Sequence, residues 1–193
     1  MRVLMMGPPG SGKGTQAITL AEALDAPHIS TGDLFRAHVR DQTELGKIVQ
    51  LHLDQGSYVP DELTNEMVRE RLARPDAQTS FVLDGYPRTV EQVAELDHLL
   101  AADGAGLDVV VELTVDRDEL IQRLLARARL SGRTDDTAEV IESRLNLYSR
   151  ETAPLIEVYE QRDLLRRIDG VGDIVEISGR LQAALLEVHV SAV

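Results

Sequence analysis

Apolar residues in this chain gather into short unbroken runs, separated by stretches in which they recur every three or four positions. Arg2-Val3-Leu4-Met5-Met6, Phe81-Val82-Leu83, Val109-Val110-Val111-Glu112-Leu113 and Leu164-Leu165-Arg166-Arg167-Ile168 are the runs, and they predict strands. Pro27-His28-Ile29-Ser30 predicts one more. After the first run, Ala17, Leu20, Ala21 and Leu24 keep helical spacing, and similar patterns over 61–73, 90–101, 117–129, 137–161 and 173–188 predict further helices. Strand and helix alternate, which predicts a parallel sheet covered on both faces. Asp116 with Glu119, and Asp173 with Glu176, have the spacing of a capping pair and mark two helix starts. The last helix should pack Ile174, Ile177, Leu181 and Leu185 on the sheet, and Pro154 should kink or restart the 137–161 helix.

The length of 193 residues and 43% apolar content fit one globular domain with a sizeable core. The chain has no cysteine, which excludes disulfides and cysteine-based zinc or redox sites and favours the cell interior. Met1 to Met6 is too short for a signal peptide, and no apolar run approaches the ~20 residues of a membrane span. A formal charge of -13 argues against nonspecific binding to nucleic acid or anionic membrane. Anionic substrates then require basic residues concentrated locally, and only two lysines, Lys13 and Lys47, are present.

One of them stands in Gly7-Pro8-Pro9-Gly10-Ser11-Gly12-Lys13-Gly14-Thr15, between the first strand and the first helix. Such a loop curls so that successive N–H groups point inward. The helix N-terminus adds positive potential, and the lysine reaches the β- and γ-phosphates of a nucleotide. Gly14 stands where a hydroxyl residue usually follows the lysine, so Thr15 is the candidate hydroxyl for a phosphate or a magnesium-bound water. Asp84, at the end of an apolar strand, is the candidate to hold Mg²⁺ through water.

Phosphoryl transfer needs two anions aligned in a dry site, and the arginines are distributed accordingly. Arg123, Arg127, Arg129 and Arg133 fall between Leu120 and Arg133 with no acid among them, and Arg144 follows on the next helix. The turn-rich Leu130 to Asp136 stretch reads as a small flap whose closure excludes water. Arg36 and Arg88 lie elsewhere, each suited to grip a monophosphate bidentately.

Gly7 to Gln16, Thr31-Gly32-Asp33-Leu34-Phe35-Arg36, Leu83-Asp84-Gly85-Tyr86-Pro87-Arg88-Thr89, Gln92, Ser131 to Asp136 and Arg144 together resemble the sequence blocks of the adenylate kinase family, short-lid type, in order and over most of the chain. The resemblance implies an α/β P-loop three-layer fold with a central five-stranded parallel sheet. It implies a core of 1–29, 60–126 and 138–193, a small helical monophosphate-binding domain at 30–59 and a short lid at 127–137. It implies reversible transfer of the γ-phosphoryl group of ATP to AMP, giving two ADP, in a cytoplasmic monomer. ATP is then held by Gly10, Ser11, Gly12, Lys13, Gly14, Thr15, Arg127 and Gly172. AMP is held by Thr31, Arg36, Ser57, Tyr58, Val59, Gly85, Tyr86, Pro87, Arg88 and Gln92. Arg133 and Arg144 reach between the substrates, and Lys13, Arg88, Arg123, Arg127, Arg133 and Arg144 form the catalytic set. The lid is too short for the inserted β-domain that holds zinc in long-lid relatives, so Mg²⁺ is expected and structural zinc is not.

Three other functions compete: a pyrimidine or other nucleoside monophosphate kinase, a nonenzymatic nucleotide-dependent scaffold, and an ATPase switch or motor. The dense arginine segment separates a transferase from the last two. The Gln92 amide, which can pair with the N1 and N6 edge of adenine, separates an adenylate from a pyrimidine acceptor. The five histidines match no motif and read as surface or packing residues.

Overall fold

The computed structural model describes residues 1–102, 104–131 and 137–191. Five strands, β1 (Arg2–Met6), β2 (His28–Ser30), β3 (Phe81–Asp84), β4 (Val109–Thr114) and β5 (Leu165–Asp169), form one sheet in the order β2-β3-β1-β4-β5. Every pairing is parallel. The α-helices are α1 (Lys13–Ala23), α2 (Thr31–Arg40), α3 (Glu44–Gln55), α4 (Asp61–Leu72), α5 (Val90–Ala101), α6 (Arg117–Ser131), α7 (Ala138–Leu147), α8 (Leu155–Gln161) and α9 (Ile174–Ser191).

Alternate residues of a strand point to opposite faces, and β1 shows why its run is unbroken. Leu4 and Met6 pack with Val68 of α4, Val93 and Leu96 of α5, and Leu155 and Tyr159 of α8. Val3 and Met5 pack with Ala17 and Leu20 of α1 and with Ile177, Leu181 and Leu185 of α9. Both faces are thus covered by helices, so polar residues have no place along the central strand. α2 and α3 enclose a separate small cluster in which Phe35 and Val49 meet Val59 and Met67. Leu120 and Leu124 of α6 meet Ile141 and Leu145 of α7 in another.

Three local expectations are corrected. Ile174 is 55% exposed, because α9 first reaches the sheet at Ile177. Asp173 and Glu176 do form a reciprocal cap, each carboxylate accepting from the other's main-chain N–H at 2.8 and 3.1 Å. Glu119, however, accepts from Arg123 Nε at 2.7 Å rather than turning back to Asp116, since a guanidinium one turn away is the stronger donor. Finally, the 137–161 stretch is divided by a π-helical turn over Tyr148–Thr152, where Ala153 N–H donates to the Tyr148 oxygen at 2.9 Å, before Pro154 restarts the chain as α8. Among the described residues no helix is long and apolar enough to cross a membrane.

Candidate active site

The loop after β1 leaves the centre of the sheet at the carboxyl ends of the strands, where open α/β sheets place ligands. α1 begins with no side-chain cap on its first N–H groups, leaving these donors for an anion. Gly10 has φ +87°, and a Cβ there would come within 3.0 Å of the Leu120 oxygen and 2.9 Å of the Leu124 side chain. Only glycine lets the loop lie this close beneath α6. Lys13 Nζ donates to the oxygens of Gly7 at 2.6 Å and Pro8 at 2.9 Å, so the ammonium lies over the loop. Burial pushes its pKa down to about 8; Asp84 opposes the shift, while the positive charges of Arg88, Arg144 and Arg127 add to it. Ser11 is fully buried, and its hydroxyl has no hydrogen-bond partner among the described residues.

Two adjoining cavities open from this loop. The larger, about 410 Å³, runs along Gly10, Gly12, Lys13, Gly14 and Thr15 to Asp84, Arg123 and Arg127. The other, about 120 Å³, is bounded by Ser57, Tyr58, Val59, Tyr86, Pro87 and Gln92. Lys13, Arg36, Gly85, Arg88 and Arg144 line both, so four cationic side chains form a shared wall between two recesses. Five arginines from four separate segments therefore converge with Lys13 in a protein whose formal charge is -13.

Most of these side chains are held by the fold. Arg88 Nε donates to the Gly85 oxygen at 2.6 Å, and the guanidinium lies over the Tyr58 ring, 5.0 Å from its centre. Arg123 is braced by Glu119 and by the Gly170 oxygen, 3.0 Å from Nη1. Arg36 Nη2 donates to Asp33 Oδ1 at 2.6 Å, a partly exposed pair that an incoming anion can displace at little cost. Burial pushes the Asp33 carboxyl up, but the Arg36 hydrogen bond and charge more than offset this and leave it below its ordinary range.

Not every sequence candidate stands on a cavity wall. Thr31 is fully buried and spends its hydroxyl on the Gly85 oxygen at 2.9 Å, so it supports the turn before Arg88. Gly172 lies at the approach to α9 beside Glu176 and Arg180. Arg133 lies outside the described residues, as do Gly132, Thr134, Asp135 and Asp136. Conversely, Thr64, Tyr148 and Thr152 line the smaller cavity although nothing in the sequence marked them. Ser57 Oγ is tied to His52 Nδ1 at 2.9 Å, which gives that histidine a packing partner.

Asp84 is the one carboxylate at the end of β3, 8% exposed, and its Oδ2 would lie 3.6 Å from a Cβ placed on Gly14. No group of three acidic or histidine side chains able to cage a metal occurs among the described residues. One carboxylate facing a phosphate loop nevertheless suits Mg²⁺, which keeps waters and takes its other ligands from phosphates.

A phosphate loop at the central strand of a parallel sheet, sharing a wall of guanidinium groups with a second recess, defines a P-loop kinase acting on a small phosphorylated acceptor. Comparison with known proteins names the family. A family model described as adenylate kinase matches residues 5–164. The adenylate kinase of Kocuria rhizophila (strain ATCC 9341 / DSM 348 / NBRC 103217 / DC2201) is 56% identical over 184 residues, 95% of this chain and 98% of that one. Those of Nocardioides sp. (strain ATCC BAA-499 / JS614) and Thermobifida fusca (strain YX) are 55% and 54% identical over 185 residues, 96% of this chain and 97% and 98% of theirs. The chain belongs to the adenylate kinase family. It is a phosphotransferase that reversibly moves the γ-phosphoryl group of ATP to AMP, giving two ADP, and so serves adenine nucleotide homeostasis.

Proposed function

We propose that ATP occupies the larger cavity, with its β- and γ-phosphates on the 10–15 loop under Lys13, Arg123 and Arg127, and that AMP occupies the smaller. The acceptor phosphate then meets Arg36 and Arg88, its base reaches Gln92, and Arg144 stands between the substrates with Arg133. The observation that carries this reading is the shared cationic wall, because the migrating phosphoryl group must keep its counter-charges throughout the transfer.

An oxygen of the AMP phosphate attacks the γ-phosphorus as the bond to the β-γ bridging oxygen breaks in line. The attacker is already an anion, so no general base is required. Lys13 and Arg123 follow the charge on the leaving side, Arg36 and Arg88 hold the attacker, and Arg144 stays in reach of both. The family generally uses Mg²⁺ with ATP; Asp84 would hold the ion through water, where it supplies neutralising charge to the phosphates. Segments 30–59 and 127–137 act as an acceptor-binding domain and a lid that close to exclude water. That one chain lines both cavities supports action as a monomer, and the metabolite substrates support a cytoplasmic location.

A coupled assay with ATP and AMP, UMP or CMP in turn tests the assignment. AMP is expected to have by far the highest kcat/KM; a value for UMP or CMP equal to or above it overturns the acceptor reading.

A further inference from the structure

The Gln92 side-chain amide is held at both ends. Its Oε1 accepts from the Arg88 main-chain N–H at 2.7 Å, and its Nε2 donates to Asp61 Oδ1 at 2.6 Å. The other Asp61 oxygen accepts from Thr89 Oγ1 at 2.7 Å, and that hydroxyl accepts from the Gln92 main-chain N–H at 3.2 Å. Gln92 is 2% exposed, so water cannot stand in for a lost partner. Resting on the reading of the smaller cavity as the acceptor site, we propose that Asp61 is a specificity-determining residue: it locks the Gln92 amide in one of its two orientations and so selects a 6-amino over a 6-oxo purine monophosphate.

A glutamine amide offers two N–H donors and two acceptor lone pairs. One donor is spent on Asp61 and one lone pair on Arg88, which leaves one of each for a base. In the edge of a 6-aminopurine, N1 accepts and the amino group donates, matching the free N–H and the free lone pair. A 6-oxopurine presents the reverse, an N1–H donor and an oxygen acceptor, and would require the amide to turn over. A main-chain N–H can only donate and a carboxylate can only accept, so neither Arg88 nor Asp61 can follow such a turn. The turned amide would face N–H against N–H at one end and oxygen against carboxylate at the other. Selection of this kind rests on what is rejected as much as on what is bound.

The informative substitution is Asp61→Asn. Asparagine keeps the size and both hydrogen bonds, but its own amide can present either oxygen or NH₂ to Gln92, with the Thr89 hydroxyl reorienting to match. It removes the Asp61 half of the lock and leaves the Arg88 N–H as the one remaining group that opposes a turned Gln92. Expected results are kcat/KM for AMP within about twofold of the parent, kcat/KM for IMP raised so that the AMP:IMP ratio falls about tenfold, and an unchanged melting temperature. Gln92→Ala is measured alongside and should raise KM for AMP. A residue that merely ties α4 to α5 would leave the AMP:IMP ratio unmoved by Asp61→Asn. That result, with Gln92→Ala still weakening AMP, overturns the role of Asp61 and spares the acceptor site. If Gln92→Ala leaves KM for AMP unchanged, the base pocket and the inference fall together.

Discussion

The Thr152 hydroxyl donates to the main-chain oxygen of Arg88 at 2.9 Å. A hydroxyl has one proton, so in the 2.8 Å contact between Tyr58 and Thr152 the tyrosine is the donor. The same Tyr58 carries the Arg88 guanidinium over its ring. Arg88 is therefore held at its main chain by the π-helical turn and at its tip by the segment that ends before α4.

Thr152→Val keeps the shape and deletes the hydroxyl, leaving the Arg88 oxygen and the Tyr58 hydroxyl without this partner. The expected stability loss is about 1–3 kcal/mol in denaturant titration, with KM for AMP raised and KM for ATP little changed. Thr152→Ser should restore both. An unaltered KM for AMP in the valine variant would show that Arg88 does not depend on this contact.

Lys13 predicts a pH dependence. Burial lowers its pKa to about 8, so the empty protein loses the ammonium charge across a range where an unfolded lysine, at 10.5, keeps it. Between these values the unfolded chain binds more protons, and this residue makes the empty protein more stable as pH rises. Phosphate binding favours the charged form, so nucleotide affinity moves the opposite way. The kcat/KM for ATP should fall above an apparent pKa near 8, since this ratio reports the free enzyme, while kcat keeps its plateau to higher pH. Lys13→Arg should lower activity and abolish the alkaline limb.

Gly56, the residue that ends α3, has φ +66°, and a Cβ there would lie 3.0 Å from the Val140 oxygen and 3.2 Å from Arg144 Cγ. Ser143 Oγ donates to the neighbouring Gln55 oxygen at 3.3 Å, so the end of α3 rests on α7. Gly56→Ala strains the backbone by about 1 kcal/mol and presses on the helix that carries Arg144. Both the melting temperature and kcat should drop; a drop in the first alone would separate the contact from Arg144 function.

Arg133→Ala is expected to lower kcat about 10²–10³-fold, because its donors are needed most as charge moves between phosphates, with melting unchanged. His38→Ala should be mild, since His38 Nδ1 bonds Thr43 Oγ1, at 3.0 Å, and His38 lines neither cavity. Wild-type kcat/KM for both substrates in Arg133→Ala would remove that residue from the catalytic set.

The sheet was legible in the sequence because Val3, Leu4, Met5 and Met6 each need an apolar neighbour, and four apolar residues in a row leave no solvent face. The phosphate loop was legible because its glycines and lysine are contiguous, and the arginine wall because Arg123, Arg127 and Arg144 are dense against an acidic background. Asp61 and Thr152 were not. They act on Gln92 and Arg88 from 31 and 64 residues away, and in the sequence an acid opening a helix and a threonine two positions before a proline have ordinary local readings. The π-helical turn was invisible for another reason: it is a choice of hydrogen-bond partner that leaves the apolar spacing intact. Ile174 kept the helical period, but period fixes the side of a helix and not where along its length contact begins.

The scarcity of lysine gives this enzyme a built-in chemical gauge. It has two ε-amino groups: Lys13 over the phosphate loop, and Lys47 exposed on α3 beside Glu44. An amine-directed reagent therefore meets one lysine whose shielding changes with nucleotide occupancy and one that lines neither cavity. The ratio of label at the two positions, read from a single digest, reports the fraction of molecules carrying nucleotide without a substituted residue or an attached dye.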